Sequence, residues 1–514
     1  MTNFQTYRPS FNEILNGTPL TPAEESLLDA CKTTGAVFIG GEVPDKATPE
    51  NSIRGELIRY LMMGGCETHQ PNARGVFVFG AYITGYLILD GCRSPLDLGV
   101  VRSRFEQGAD FDDSEVGAVV LSTSYLPGLT GERMTVKRSF FMRHGFCSAG
   151  SVVLSGAHIG GQLDCAGARF EAEEGAALEA QGLTVSGDVF LRDGILACGR
   201  VDLQGAQIKG QLDCTHGSFH KGMGLQSAVV GAEFYFRFVR AFNGTLDLSE
   251  AHVTCLGDDA ASWEQPDDLD LTGFRFDTVQ SHMSVSDRLG VLTNHAKQGA
   301  NIVFHSQPYT HLAKHFHSNG ERQAAACILY EREKHLARAE WARAHEKLDG
   351  TWREAFRCQG ADFAQMFRWV FQAFAGFGHK PMRAFYWALA TVVFSMLYFH
   401  LTYINGQMVP NSDIILNSQA WLDVVKDGVS NPTEAWGLTA PGSDYETFSA
   451  IGYGFDLFVP LDALGQEIAW APSLSRGNWG WWGHYLRWPI QIVGWVLTAI
   501  GAALLTGLIG RDRE

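Results

Sequence analysis

Apolar residues in the central part of the chain alternate with polar ones in short bursts, as at Val201, Leu203, Ala206, Ile208 and Leu212, with glycines where the bursts change direction. Alternation with a period of two puts every second side chain on one face of an extended segment. The pattern therefore predicts short strands that turn repeatedly, not helices. It also recurs. "GAHIGGQLDCAGARF" (Gly156–Phe170) returns 49 residues later as "GAQIKGQLDCTHGSF" (Gly205–Phe219), and "MTVKRSFFMRHGF" (Met134–Phe146) falls on "LTVSGDVFLRDGI" (Leu183–Ile195). "VVGAEFYFR" (Val229–Arg237) falls on "TVSGDVFLR" with a shift of 45. Each long unit splits into two of about 23 residues, and further copies are read at Gly75–Cys92 and Leu269–Phe276. A period of about 20 to 25 residues without helical spacing predicts a β-solenoid, in which each coil buries its aliphatic face only by stacking on its neighbours. Placed over residues 71–305, about ten coils at about 4.8 Å each would make a rod of roughly 50 Å.

The repeat decides how its most reactive-looking residues are read. Cys165 and Cys214 occupy one repeat position, as do Asp164 and Asp213. The cysteines are expected to fill equivalent inner sites as small apolar residues, with the aspartates pointing the other way into solvent. The motif is a building unit and not a catalytic pair.

Helical patterns flank the strands. Residues 1–70 are expected to form a helical cap over the exposed strand edges of the first coil. One helix carries Thr21 as N-cap, Pro22 in the first turn, Glu24 closing a capping box and Gly35 as a stop, and a second opens at Thr48 and Pro49. Residues 306–350 read as a helical hairpin connector, tetratricopeptide-like, with Pro308 opening one helix and Gly320 at the turn. Tyr309, Leu312, Ala313 and Ala324–Ala326 hold the packing positions. His311, His315 and His317 have spacing that suits a metal ion. No carboxylate or cysteine completes the set, so they are read as packing residues, and no metal or cofactor is expected.

Hydropathy then changes character. Residues 384–404 and 490–510 contain long uncharged runs, each near the roughly 20 residues that cross a bilayer as a helix. Residues 351–383 form an amphipathic juxtamembrane segment, with "FRWVFQAFAGF" (Phe367–Phe377) at the interface. Arg353, Arg357, Arg368, Lys380 and Arg383 precede the first run and Arg511 and Arg513 follow the second, whereas segment 405–489 holds only Lys426, Arg476 and Arg487. The positive-inside rule then keeps both termini in the cytoplasm and sends the loop outward. Within that loop "YGFDLFVPLDALGQEIAWAP" (Tyr453–Pro472) is too apolar for a free linker and is expected to pack on the spans or the outer membrane face. His400, inside the first run, is the intramembrane ionisable candidate.

The net charge of −16 argues against nucleic acid as a partner. The ten cysteines include no C-x-x-C pair, and "MTNFQTYRPSFNE" has no secretory pattern, so the solenoid is expected to be reduced and cytoplasmic. "IRGELIRYLMMGG", "GAYITGYLILDGC", "QPYTHLAKHFHSNGERQAA", "GFGHKPMRAFYWAL", "FVPLDALGQEIAWAP" and "GWVLTAIGAALLTGLIGR" follow one another in an order that resembles a bacterial family of membrane-anchored, pentapeptide-repeat-like proteins. The resemblance implies a pentapeptide-repeat-like, right-handed solenoid in the bacterial inner membrane. The five-residue pattern is irregular here, and Glu250 stands where a corner glycine belongs. Members often carry the label "membrane-associated oxidoreductase", but the chain shows no dinucleotide, P-loop, nucleophile-elbow or H-E-x-x-H motif. The expectation is a non-enzymatic scaffold without catalytic residues, whose partners are the lipid bilayer, a protein on the solenoid face and further copies of itself. The alternative is a membrane effector of stress or phage defence that oligomerises into a pore through Gly501, Ala502, Ala503, Thr506, Gly507 and Gly510.

Overall fold

The computed structural model describes residues 10–505 apart from 16, 67–68, 173, 282, 298–303, 346–351, 379, 381 and 460–463. It divides into two compact units, residues 1–328 and 329–514.

The first unit is a β-solenoid of about nine turns. Strands mostly two to four residues long stack in parallel on four faces, and two of the sheets so formed hold nine strands each. One coil runs through Phe140–Phe141, Cys147–Ser148, Val152–Val153 and His158–Ile159 before Leu163–Asp164 returns to the first face. The register is strict: Phe140 lies beside Leu163, Leu163 beside Val189, Val189 beside Leu212 and Leu212 beside Phe234. Every second residue points inward and is fully buried, which is the outcome of the alternation in the sequence. Leu121, Met142, Cys165, Leu191, Cys214 and Phe236 follow one another at equivalent inner positions, each with no exposure. The cysteines alternate with larger side chains there, so a narrow rung sits between wide ones and the interior stays filled.

The N-terminal cap contains α1 (Pro22–Thr33), with the capping box on Thr21 and Glu24 as expected. The second capping element differs from expectation. Ser52–Arg54 is a strand paired in parallel with Tyr82–Thr84, and α2 (Gly55–Met62) starts only after it. Ile53 is wholly buried, so the chain has already joined the solenoid wall where a helix opening at Pro49 was expected. Ala36–Phe38 likewise pairs with Phe77–Phe79, so the first coil begins inside the expected cap.

At the other end the strands stop at Val279, short of residue 305. A short helix, α3 (Ala260–Trp263), already interrupts the last strands, and after Val279 the chain forms α4 (Val285–Lys297) and α5 (Gln307–Ser318). Val285, Leu289 and Leu292 recur at helical spacing, which ends the strand alternation. Two helices follow, with Gly320 at φ +84° between α5 and α6 (Arg322–His345), and residues 346–350 of the expected connector lie outside the described residues.

Corners impose left-handed backbone. Gly156, Gly182 and Gly205 occupy one corner column, which Ser227, Glu250 and Gly273 continue, all at positive φ. Glu250 holds φ +54°. Relieving it costs glycine's extra unfolded-state freedom of about 0.5–1 kcal/mol but removes about 1–2 kcal/mol of steric opposition. Glu250→Gly is therefore expected to raise stability by about 0.5–1 kcal/mol in chemical denaturation. A fall in the midpoint would show that the Glu250 side chain makes a contact worth more than the strain.

The second unit holds α7 (Trp352–Ala375), α8 (Met382–Ile404), α9 (Ala450–Phe458) and α10 (Asn478–Leu505). Residues 382–404 and 478–503 are long and apolar enough to cross a membrane. The second of these helices begins twelve residues before the expected span, so the "WGWW" cluster (Trp479–Trp482) is helical. Thr506, Gly507, Gly510, Arg511 and Arg513, used in the sequence reading, lie outside the described residues. Among the described residues of the intervening segment, α9 lodges between the two long helices. The Tyr453 ring stands 4.8 Å from that of Phe399. A Cβ on Gly454 would meet the Met396 backbone nitrogen at 3.1 Å, and one on Gly494 would meet the Phe458 carbonyl oxygen at 2.1 Å. Met396 lies eight residues from the end of α8, so α9 reaches about 12 Å down the helix pair. Asp456, buried in this nest, accepts backbone amides from Leu464, Gln466 and Glu467 and so closes the returning loop. Trp470 and Tyr453 belong to one buried cluster with Trp421, Trp436 and Ile490. Tyr453, Leu457 and Trp470 of the apolar stretch thus pack with the long helices as expected, while Phe455 and Leu464 are exposed and residues 460–463 lie outside the described residues.

Candidate functional site

The most differentiated surface is the outer side of the first solenoid face. Phe141, Asp164, Phe190, Asp213 and Tyr235 follow one another there in register. Two residues beyond each aromatic stands an arginine. The guanidinium of Arg143 lies 4.6 Å over the Phe141 ring, Arg192 4.2 Å over Phe190, and Arg237 4.2 Å over Tyr235. Arg143 then donates from Nη1 to Asp164 Oδ2 at 2.9 Å, and Arg192 from Nη1 to Asp213 Oδ2 at 3.1 Å. Both aspartates are 6% exposed, which corrects the expectation that they point into solvent. The face does point outward, but an arginine from the preceding coil folds across each carboxylate. Each aspartate also accepts the amide two residues on, at Ala166 and Thr215, and thereby fixes its corner.

The reading of the cysteines stands. Burial, with the neighbouring aspartate charge adding to it, pushes the thiols of Cys165 and Cys214 well above their ordinary value. Both are closed to thiolate chemistry.

At its N-terminal end the same face turns apolar. Phe38, 75% exposed, stacks on Phe79 with ring centroids 4.5 Å apart. The Phe77 ring lies where a Cβ on Gly99 would be, 2.2 Å from it, so glycine is what lets this ring lie flat.

The histidines of the hairpin sit elsewhere. His311 Nε2 is 2.8 Å from the Phe276 carbonyl oxygen, and the rings of His311 and His315 both stand edge-on to Phe276. Burial holds both imidazoles below their ordinary value, with the backbone of residues 276 and 277 pulling the other way. They cover the last coil. Among the described residues no three His, Cys, Asp or Glu side chains gather as metal ligands would. His400 is exposed on the flank of α8, outside the packed cluster.

In the second unit, Lys380 Nζ stands 4.3 Å over the Tyr330 ring and the Arg383 guanidinium 5.6 Å from it. Gln372 donates to the Tyr330 hydroxyl at 3.0 Å. Two cations thus gather at the start of α8, next to Gly376 and Phe377, both at positive φ. Along α7, Phe363, Met366, Phe367 and Trp369 are exposed.

The arginine ladder was missed in the sequence, although its signal was there. Phe141-x-Arg143, Phe190-x-Arg192 and Tyr235-x-Arg237 recur at the repeat spacing, with Leu-Asp-Cys halfway between them. Comparison with known proteins gives no match to any family model, and none among curated proteins.

Proposed function

We propose that the chain is a non-enzymatic, membrane-anchored scaffold of the pentapeptide-repeat-like kind, which offers the first solenoid face to a protein partner. The observation that carries this reading is the stacked Phe38–Phe79 pair, with its outer ring open to solvent. Large exposed aromatics are costly on a free surface, and aromatics and arginines are the side chains that dominate protein interfaces. The partly exposed Arg143 and Arg192 on the same face extend that composition. A photo-crosslinking residue at Phe38, in the cells that make the protein, is expected to trap a discrete partner. The same residue at Gln207, exposed on another face, is expected to trap none. Equal trapping at the two positions, or none at Phe38, removes the reading.

In this proposal residues 382–404 and 478–503 span the bacterial inner membrane, with the solenoid cytoplasmic and segment 405–477 outside. Lys380 and Arg383 suit the inner headgroup level, and the exposed aromatics of α7 suit the interface. Cysteines introduced at Leu438 (86% exposed) and Trp470 (4%) test the topology and the packing together. An impermeant thiol reagent on intact cells is expected to label Leu438→Cys fast and Trp470→Cys slowly. Fast labelling at both positions contradicts the packed loop, and labelling only after lysis inverts the topology.

The pore is the second reading, and it would use the exposed flank of the first long helix. Phe385, Leu389, Val393 and Leu397 form an exposed stripe at four-residue spacing along α8. Lipid covers such a stripe in an anchor, and further copies of the chain cover it in a pore. Overexpression with a potential-sensitive dye separates the two, since a pore depolarises the membrane.

A further inference from the structure

The ladder on the first face breaks at its third rung. In the first two rungs the sequence between the arginine coils reads Leu-Asp-Cys, at 163–165 and 212–214, and at 256–258 it reads Leu-Gly-Asp. The carboxylate has moved one position inward, where Asp258 pairs with Arg288 of α4. Gly257 now lies beside Tyr235 in the register, in the place that Asp164 and Asp213 hold beside Phe141 and Phe190. A Cβ on Gly257 would stand 2.5 Å from the Tyr235 ring, so the ring occupies the space a third aspartate would need. Arg237 keeps its seat over Tyr235 and faces no rung carboxylate. Its Nε is shielded from solvent without a hydrogen-bond acceptor, as is that of Arg192, but unlike Arg143 and Arg192 it forms no ion pair within 4 Å among the described residues.

What Arg237 faces instead is an open cavity of about 770 Å³, which also holds Phe238, Asp259 and Asp287. This volume is in the range of small-molecule sites. Among the described residues Asp259 is bound by neutral donors, the amides of Phe238 and Ser262 and the Ser262 hydroxyl, and Asp287 by the amide and hydroxyl of Ser284. Asp258 also lines the cavity but is taken by Arg288, so the wall presents one guanidinium and two further carboxylates, with no ion pair between them among the described residues. Phe238, 60% exposed and at φ +50°, adds an aromatic surface at the rim. That φ is the one the solenoid corner imposes, since Thr123, His144, Asp193 and His216 hold similar values in the coils before it.

We infer that this cavity binds a small zwitterion of the amino-acid type, with its carboxylate on Arg237 and its ammonium group on the Asp259 and Asp287 side. A simple anion would meet two carboxylates, and a simple cation would leave the Arg237 charge unanswered. The zwitterion alone matches both, and its carboxylate supplies the partner that Asp164 and Asp213 supply to the first two arginines. The inference is independent of the scaffold reading, since neither the occupant nor the cavity involves the aromatic end of the face.

The test uses the full chain in detergent and isothermal titration with three probes of equal length: 6-aminohexanoate, hexanoate and hexylamine. Saturable binding of 6-aminohexanoate is expected, at least tenfold tighter than that of either singly charged probe. Arg237→Gln is expected to weaken it tenfold or more. Arg192→Gln, which removes an arginine whose partner is in place, is expected to leave it unchanged. Three results overturn the inference: no saturable heat up to about 10 mM, well below the affinity of any specific site; equal binding of all three probes; or equal loss in the two variants, which would report damage to the solenoid and not a site.

Discussion

Glu24→Ala is expected to lower the free energy of opening the N-terminal end of the solenoid by about 3 kcal/mol, the range for removing one partner of a buried ion pair. The Glu24 carboxylate is wholly buried. It accepts the Thr21 amide at 3.0 Å, the Arg54 amide at 3.0 Å, and Arg54 Nε and Nη2 at 2.7 Å each. One side chain therefore caps α1, satisfies the strand at Ser52–Arg54 and neutralises Arg54. Its loss leaves a partly buried guanidinium without its carboxylate, though still on the Ile14 carbonyl, and two amides without acceptors, and costs more than a capping box alone, about 1 kcal/mol. Hydrogen exchange of the amides in 22–33 and 52–62 reads the effect locally. Exchange there at the wild-type rate would mean that Arg54 finds another partner.

The same group makes this end acid-sensitive. Burial alone would raise the Glu24 carboxyl, but Arg54 and the two amides hold it below its ordinary value of 4.5. Its folded form releases the proton more readily than its unfolded form. The stabilisation is thus complete above about pH 4.5 and is lost as pH falls through the lower folded value. Glu24→Ala is expected to flatten that acid dependence in the N-terminal peptides and to leave the central coils unchanged.

Much of the solenoid was legible because one physical rule generates both the pattern and the fold. Alternating residues face in or out, and a coil that cannot bury its inner face alone repeats it. The inner positions of Cys165, Cys214, Leu203 and Ile208 follow from that rule without further information. The doubled period of 49 residues has a second cause, which the rule does not contain. Met142, Leu191 and Phe236 are wide inner residues that alternate with two cysteines, while outside them aromatic-and-arginine coils alternate with aspartate coils. A rung is complete only as a pair of coils, so the sequence repeats by pairs. Reading Asp164 and Asp213 as solvated failed because their partners lie 21 residues upstream, where only the coil register brings them close. The strand at Ser52–Arg54 is hidden from the sequence for a similar reason. Three residues carry too little periodicity to outweigh a Thr-Pro opening, and their pairing with Tyr82–Thr84 is a tertiary fact. The break at Gly257 is visible in the sequence as Leu-Gly-Asp, but it acquires meaning only once Tyr235 and Arg237 are known to lie beside it.

Arg288→Met is expected to cost about 3–5 kcal/mol, the largest loss from any single substitution considered for this chain. Asp258 is completely buried and Arg288 nearly so, at 0% and 8% side-chain exposure. The pair is bidentate, with Nη1 donating to Oδ2 at 2.9 Å and Nη2 to Oδ1 at 2.8 Å, and Trp263 Nε1 adds a third bond at 2.7 Å. One carboxylate at the end of the last long strand thus ties together α3, through Trp263, and α4, through Arg288. Methionine in place of Arg288 leaves Asp258 charged, buried and held by a single indole. Asp258→Asn keeps an acceptor for Trp263 and carries no charge, so it is expected to cost less than Arg288→Met. Once position 258 is uncharged, Arg288→Met is expected to add little, because no buried carboxylate is then stranded. The double-mutant cycle should therefore show a coupling of about 2 kcal/mol or more, well above the scatter of independent sites. Hydrogen exchange of residues 252–279 and 285–297 measures each corner of the cycle. Additive losses would show that the ion pair does not hold the cap, and that α3 and α4 are kept in place by the apolar contacts of Trp263 and Leu292 alone.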